Sequence, residues 1–336
     1  MKSKGIVFVA PGVSEIEELE VKSPEAGEVL VKLVRSTVSA GTERANLLGM
    51  PNTGASSATH GYPIRIGYSG AGVVEAVGEG VERVKVGDRV LCVWGKHTQY
   101  QIYKEKNVYL LDDSIGFDEA ALVHIATFPM AAIRKCRLEM GESAMVMGLG
   151  VLGLMAIQEL RVAGALPIIA VDPVAEKRAR ALELGADYAL DPFAPDFAET
   201  VKEITGGGAK VCIEVTGVGQ GLDMALDAMA RFGRIALLGC TRNSDFTIDY
   251  YRKVHFRGVT MVGAHTDARP RQESAPGWWT EADDERAVLE MLRYRRLDLR
   301  TLIEEVHPAR DMVKIYNRLA VEKAFPVVQF DWTQMD

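Results

Sequence analysis

The 336-residue sequence predicts an α/β protein, a doubly wound parallel sheet joined to a β-rich domain. Three observations lead there. Residues 144–160 run from an apolar strand through a glycine-rich turn into a helical pattern. From about residue 119 strand and helix patterns alternate, which is the signature of a parallel sheet covered on both faces. Before about residue 110 the chain reads instead as short strands of alternating polarity, divided by turn residues.

The glycine-rich turn is the most informative stretch. Ala144 to Met147 feeds a G-x-G-x-x-G turn of Gly148, Gly150 and Gly153, with Val151 and Leu152 opening a helix that repeats through Leu154, Ile157 and Leu160. The first glycine permits the tight turn, the second lets the backbone approach a pyrophosphate, and the third lets helix and strand pack closely. The helix start offers N–H groups and a favourable dipole to phosphates. Alone, such a turn is weak evidence. Here a second strand, Ile168 to Val171, ends in Asp172, roughly the twenty residues further on that a dinucleotide fingerprint requires. A carboxylate there accepts hydrogen bonds from the adenosine ribose and repels a 2′-phosphate, so the expected cofactor is NAD rather than NADP. This part is read as a Rossmann NAD-binding domain.

The remaining elements follow in order. Val29 to Arg35 and Gly72 to Gly78 alternate like half-buried strands, Val86 to Val93 is a turn opening into a strand, and Tyr100–Tyr103 and Val108–Leu111 are shorter strands. The polar, glycine-rich stretch Gly49 to Gly61 reads as a long surface loop of the kind that shapes binding sites. Asp118 to Cys136 is helical apart from an interruption at Thr127-Phe-Pro129. Further βα units carry the chain to a last sheet strand at Val259–Val262. An irregular stretch, His265 to Trp279, precedes two helices, 283–293 and 308–319, and a final strand, Phe325 to Phe330, which returns to the first domain.

Composition narrows the function classes. The hydrophobic fraction of 48% and charged fraction of 25% are ordinary for a globular protein. A net charge of −7 argues against nucleic acid or an anionic membrane surface as partner. No apolar run reaches a membrane-spanning length. The start of the chain reads as a first strand ended by Pro11-Gly12 rather than as a signal peptide. Cys92, Cys136, Cys212 and Cys240 lie far apart, and three sit in apolar runs, so they are expected to be reduced and the compartment cytoplasmic.

The order of parts resembles the medium-chain dehydrogenase/reductase superfamily, the fold of zinc alcohol and polyol dehydrogenases. The marks are Gly67 to Gly78, Val86-Gly-Asp-Arg-Val90, the nucleotide turn and Glu214-Val-Thr-Gly217. The resemblance covers essentially the whole chain. It implies a discontinuous GroES-like catalytic domain over 1–119 and 264–336, a Rossmann domain over 120–263, and a homodimer or homotetramer. It adds Thr216 and Gly239 to the expected cofactor contacts. Ala40-Gly-Thr-Glu43 stands where zinc enzymes carry a C-G-T-D-like motif, and Gly67-Tyr-Ser69 where they carry G-H-E. A third ligand position falls at His124, and residues 94–104 lack the cysteines of a structural zinc lobe. One imidazole cannot supply the three protein ligands a catalytic zinc needs, so no metal is expected.

What the resemblance then implies is hydride transfer between a secondary alcohol or ketone and NAD, on a sugar, cyclitol or other polyol. His124 or Tyr68 handles the proton and Thr42 orients the oxygen. Each has a plainer reading: Tyr68 and His124 fill the space a metal would occupy, and Thr42 bonds its own turn. Glu43, Arg269 and Trp278 are candidate substrate contacts, with structural pairing or packing as their alternatives. His60 and His97, in loops, are read as solvated. Rival functions are a zinc-free quinone or enone reductase and a non-catalytic nucleotide-binding protein.

Overall fold

The computed structural model describes residues 1–56, 61–322 and 324–335; His60 therefore lies outside the described residues. The chain divides into two compact units, 1–125 with 289–336, and 126–288.

The first unit is built on strands. A seven-stranded sheet runs in the order Glu305–Pro308, Val328–Asp331, Glu28–Thr37, Ser69–Val77, Arg89–Val93 and Val108–Leu110, with Tyr100–Lys104 also pairing Glu28–Thr37. The final strand does return to this unit, with Phe330 opposite Ser36 in antiparallel register. A separate hairpin joins Lys2–Ala10 to Val13–Glu20. Its second strand has no apolar alternation, because half its positions are glutamates; pairing and ion pairs such as Lys2–Glu18 hold it instead. Helix Ala40–Leu47 gives no sequence signal either, being short and weakly amphipathic. Phe8, Leu33, Tyr316, Phe330 and Trp332 are fully or nearly fully buried and form one core.

Helix Phe117–Lys135 runs without the interruption expected at Pro129. Proline withdraws one N–H from the ladder, yet the residues around it are buried, and packing outweighs the lost bond. Arg269 Nη2 also donates to the Thr127 carbonyl at 2.7 Å, in the same stretch of helix.

The second unit is a six-stranded, all-parallel sheet in the order Tyr188–Leu190, Ile168–Val171, Ala144–Met147, Ala209–Glu214, Met229–Leu237 and Thr260–Gly263. The order doubles back at Ala144–Met147, the strand that feeds the glycine turn. Residues 264–288 belong to this unit, where the sequence placed them with the catalytic domain. Aromatic and charged anchors explain the difference: the Arg134 guanidinium lies 3.7 Å from the Trp279 ring centroid, and Lys135 Nζ 5.0 Å from that of Trp278. Cys92, Cys136 and Cys212 are buried and Cys240 exposed, all four as thiols. Among the described residues no helix is long and apolar enough to cross a membrane.

The interior of this unit holds a charge cluster. Arg134 Nη2 donates to Asp284 Oδ1 at 2.9 Å, and Arg269 Nη1 lies 3.7 Å from Asp284 Oδ2. Glu159, on helix Val151–Ala163, is 5% exposed, and among the described residues neither of its carboxyl oxygens has a hydrogen-bond partner. Burial, then the nearby Asp284 carboxylate, raises its pKa well above the usual range, against the pull of Arg134 and Arg269. A carboxyl raised by folding holds its proton more tightly folded than unfolded. Its contribution is therefore full below the unfolded pKa and fades as pH rises through the folded value. Glu159→Gln, which mimics the protonated side chain, should melt higher than the parent at neutral and alkaline pH, by about 2–4 °C per kcal/mol recovered. Thermal denaturation should show the gap closing as pH falls toward the ordinary glutamate value of 4.5.

Candidate active site

In the first unit a hydroxyl, an imidazole and an indole meet around Tyr68. Tyr68 immediately precedes strand Ser69–Val77, and its carbonyl accepts from the Trp94 N–H at 2.9 Å. The Trp94 ring is 6.0 Å from that of Tyr68 and 4.7 Å, edge on, from that of His124. His124, on helix Phe117–Lys135, is fully buried and 5.6 Å ring to ring from Tyr68. Trp94 is 43% exposed and has φ of 59°, a left-handed conformation that is costly for a bulky residue and recurs at functional sites. The Tyr68 phenol donates to Ser39 Oγ. Tyr68 and His124 are thus brought together, and Ser39 and Trp94 join them. Neither carried a sequence signal beyond its neighbours' motifs. Thr42 lies in the first turn of helix Ala40–Leu47, partly buried, its carbonyl accepting from Asn46 Nδ2 at 2.9 Å.

Glu43, expected beside the substrate, is 1% exposed. Its Oε1 accepts from the Ser39 N–H at 2.9 Å and meets His97 Nε2 at 3.1 Å, while its Oε2 accepts from the Tyr316 hydroxyl at 2.7 Å. Burial, followed by the Glu43 charge, holds the Tyr316 phenol well above its usual pKa. His97, read from its loop position as solvated, is fully buried.

In the second unit the glycine turn has the geometry its sequence implies. Gly148 has φ of 99°, and a Cβ on Gly153 would sit 2.0 Å from the Gly148 carbonyl oxygen. Helix Val151–Ala163 follows, with Val151 and Leu152 partly exposed at its start and Gly150 exposed as its N-cap. Asp172 is 6% exposed; its Oδ2 accepts from the Leu149 N–H and its Oδ1 from the Val174 N–H, each at 2.9 Å. A carboxylate has lone pairs for about four bonds, so this one ties the strand end to the glycine turn and keeps acceptor capacity for ribose hydroxyls. Across the strand ends, the buried Glu214 carboxylate accepts from Thr216 N–H at 2.8 Å and Gly217 N–H at 3.3 Å, and from the Thr216 hydroxyl. Burial raises the Glu214 pKa, and those bonds oppose the rise. Gly239 N–H donates to the Glu214 carbonyl at 2.8 Å, which brings Gly239 beside the Thr216 turn. The cradle fits a dinucleotide: glycines where a side chain would clash, a helix start, and a carboxylate at the second strand end. Glu214 organises it and was overlooked as a site residue, although it sits inside a quoted motif.

Arg269 and Trp278 lie in this unit. The Arg269 side chain is 4% exposed, bonded to Thr127 and beside Asp284. Trp278 is 40% exposed, with its ring against the Lys135 ammonium.

Comparisons with known proteins bear on this arrangement. Residues 25–155 match the alcohol dehydrogenase GroES-like domain, and residues 151–277 match the zinc-binding dehydrogenase family. An L-threonine 3-dehydrogenase from Pyrococcus horikoshii is 30% identical over 292 residues, covering 78% of this chain and 82% of that protein. The chain belongs to the zinc-binding alcohol dehydrogenase family. It is a dehydrogenase acting on CH–OH groups, of the NAD(P)-binding kind. A D-guloside 3-dehydrogenase from Escherichia coli is 27% identical over 324 residues, covering 90% of this chain and 92% of that one. The solved 2R,3R-butanediol dehydrogenase from Bacillus subtilis has a TM-score of 0.81 at 25% identity, covering 98% and 99% of the two chains.

The family name invites a test for zinc at the positions that match the zinc enzymes' motifs. Ala40 offers no donor atom. Ser69 Oγ, 2% exposed, donates to the Ala121 carbonyl at 2.7 Å, and the Tyr68 phenol is engaged with Ser39. Those positions do not fit the three-ligand zinc of this family.

Asp172→Ala removes the Leu149 tie to the glycine turn, the Val174 tie at the strand end and the expected ribose acceptor. NAD affinity should fall about 10-fold or more, as expected for loss of hydrogen bonds to a charged group, while NADP affinity should fall much less. Isothermal titration with each dinucleotide checks this, and an unchanged NAD/NADP ratio would remove Asp172 from that role.

Proposed function

We propose that this dehydrogenase interconverts a secondary alcohol and a ketone on a polyhydroxylated substrate, using NAD and no zinc, with Tyr68 and His124 managing the hydroxyl proton. The observation that carries the reading is the packing of Tyr68 against His124, with the phenol bonded to Ser39. It leaves an ionisable phenol and an imidazole together at positions where the family's sequence motif carries metal ligands. When bound, the nicotinamide supplies the hydride chemistry. The glycine turn and the first turn of its helix, Gly148, Gly150, Val151, Leu152 and Gly153, would hold the pyrophosphate, Asp172 the ribose, and Thr216 and Gly239 the remainder.

In the first unit Tyr68 holds or releases the proton at the substrate oxygen. His124, edge on to it, packs against the phenol and is the second group able to accept or donate a proton there. Thr42 orients the substrate oxygen. The exposed face of Trp94 offers a flat apolar wall to the C–H face of a sugar or cyclitol ring. The similarity to a protein named for D-guloside supports that substrate class.

Three measurements test the reading. Tyr68→Phe and His124→Ala should each lower kcat by about 10²–10⁴-fold, the usual weight of a general acid–base group; near-parental turnover in both would remove the proton assignment. Trp94→Ala should raise KM about 10-fold and change kcat little, since a binding wall acts on ground and transition states alike. NADH formation should be seen with members of a panel of sugars, cyclitols and simple secondary alcohols. Silence across that panel would refute the substrate class.

A further inference from the structure

The cluster around Tyr68 leaves a second set of buried polar groups unused. Trp332 Nε1–H donates to Ser36 Oγ at 2.8 Å, and Ser36 Oγ meets His97 Nδ1 at 2.8 Å. His97 Nε2 then meets Glu43 Oε1, which also holds the Ser39 N–H, and Tyr316 occupies Glu43 Oε2. An indole N–H only donates and a carboxylate only accepts. The neutral tautomer that satisfies both ends has its hydrogen on Nε2: Ser36 donates to the bare Nδ1, and Nε2–H donates to Glu43. Every polar group from Trp332 to Ser39 N–H is then matched.

A second observation concerns Ser39 itself. It is the N-cap of helix Ala40–Leu47, yet its side chain makes no capping bond, although serine at that position ordinarily accepts from the first turn. The Glu43 N–H donates to the Ser39 carbonyl at 2.8 Å while the Glu43 carboxylate takes the Ser39 N–H. Glu43 thus grips the Ser39 backbone from both sides, and the Ser39 hydroxyl turns to Tyr68 instead.

We propose that Ser39 is a positioning residue that serves Tyr68 as a reversible hydroxyl partner, and that the buried Glu43–His97–Ser36–Trp332 chain is the clamp that fixes it. This deepens the acid–base reading of Tyr68 and rests on it. At rest the phenol donates to Ser39 Oγ. In the reducing direction the Tyr68 O–H bond breaks and its proton forms the new O–H bond on the substrate oxygen, the matching hydride being what a bound reduced nicotinamide would supply. Ser39 keeps its own proton and turns it toward the phenolate, and water returns a proton to Tyr68. Glu43 therefore acts through Ser39 and touches no substrate.

The experiment uses the full-length protein and compares Ser39→Ala, Ser39→Thr and Tyr68→Phe. Ser39→Ala keeps the N–H that Glu43 grips, so it folds; circular dichroism and a melting curve verify this. Among the described residues of this unit, His124 faces Tyr68 directly and Glu43 reaches it through Ser39. Both remain in Ser39→Ala, so a moved pH limb reports the lost hydroxyl. Ser39→Ala should lower kcat about 10- to 100-fold at unchanged KM and move the Tyr68-dependent limb of the kcat profile up by about one pH unit, as loss of a bond to the charged form requires. Ser39→Thr should restore both. A readout free of turnover is the ¹⁵N spectrum of His97, which should show the Nε2–H tautomer with an unprotonated Nδ1, and which Glu43→Gln should disturb. If Tyr68→Phe is inactive while Ser39→Ala keeps the parental kcat and pH profile, the Ser39 role is overturned and the Tyr68 reading survives. If Tyr68→Phe keeps parental turnover, both fall. A His97 protonated on Nδ1 overturns the clamp.

Discussion

Burying an ionised carboxylate costs several kcal/mol unless its oxygens meet donors of good geometry, and the first unit is arranged around meeting that cost at Glu43. The donors come from far apart in sequence: the Ser39 backbone before helix Ala40–Leu47, the His97 ring after strand Arg89–Val93, and Tyr316 from helix Met312–Val321. Ser36 and Trp332 extend the same chain into the paired strands at the sheet centre. Removing any one donor would leave this buried carboxylate with fewer partners in a place closed to water. That requirement holds strand, helix and loop in one relation, and the Tyr68 cluster is built on the result.

The nucleotide unit answers a different constraint, that of close approach. At Gly153 the helix presses on the turn so tightly that a methyl group would overlap the Gly148 carbonyl. Asp172 then adds a second tie by accepting the Leu149 N–H from that turn. One carboxylate thus ties the second strand end to the cradle. Glu214 plays a parallel part at the Thr216-Gly217 turn, where three donors from the following residues wrap a buried carboxylate.

Much of this architecture was legible in the sequence because it is written locally. A glycine turn, a strand of alternating polarity or an acidic residue at a fixed distance carries its own signal within a short window. His97 carried none. A histidine in a polar loop reads as solvated, and only the pairing that lays its loop under Glu43 and against the Phe330 ring buries it. Ser39 and Trp94 were hidden for the same reason, since their roles depend on partners brought in by other strands. Glu43 was singled out from its motif and then placed beside a substrate, because the motif cannot say which way a side chain faces. Trp278 and Trp279 find cation partners on helix Phe117–Lys135, contacts no local window of sequence could signal, and at Pro129 burial outweighs local propensity.

On the proposed reading, the proton chemistry of this dehydrogenase rests with a phenol held by a clamped serine rather than with a metal ion. The most direct test is the turnover of chelator-treated protein, verified metal-free by elemental analysis, on whichever polyol it oxidises. The account predicts a kcat unchanged from that of untreated protein and unaffected by added zinc. Activity that disappears with the metal and returns with zinc would contradict it.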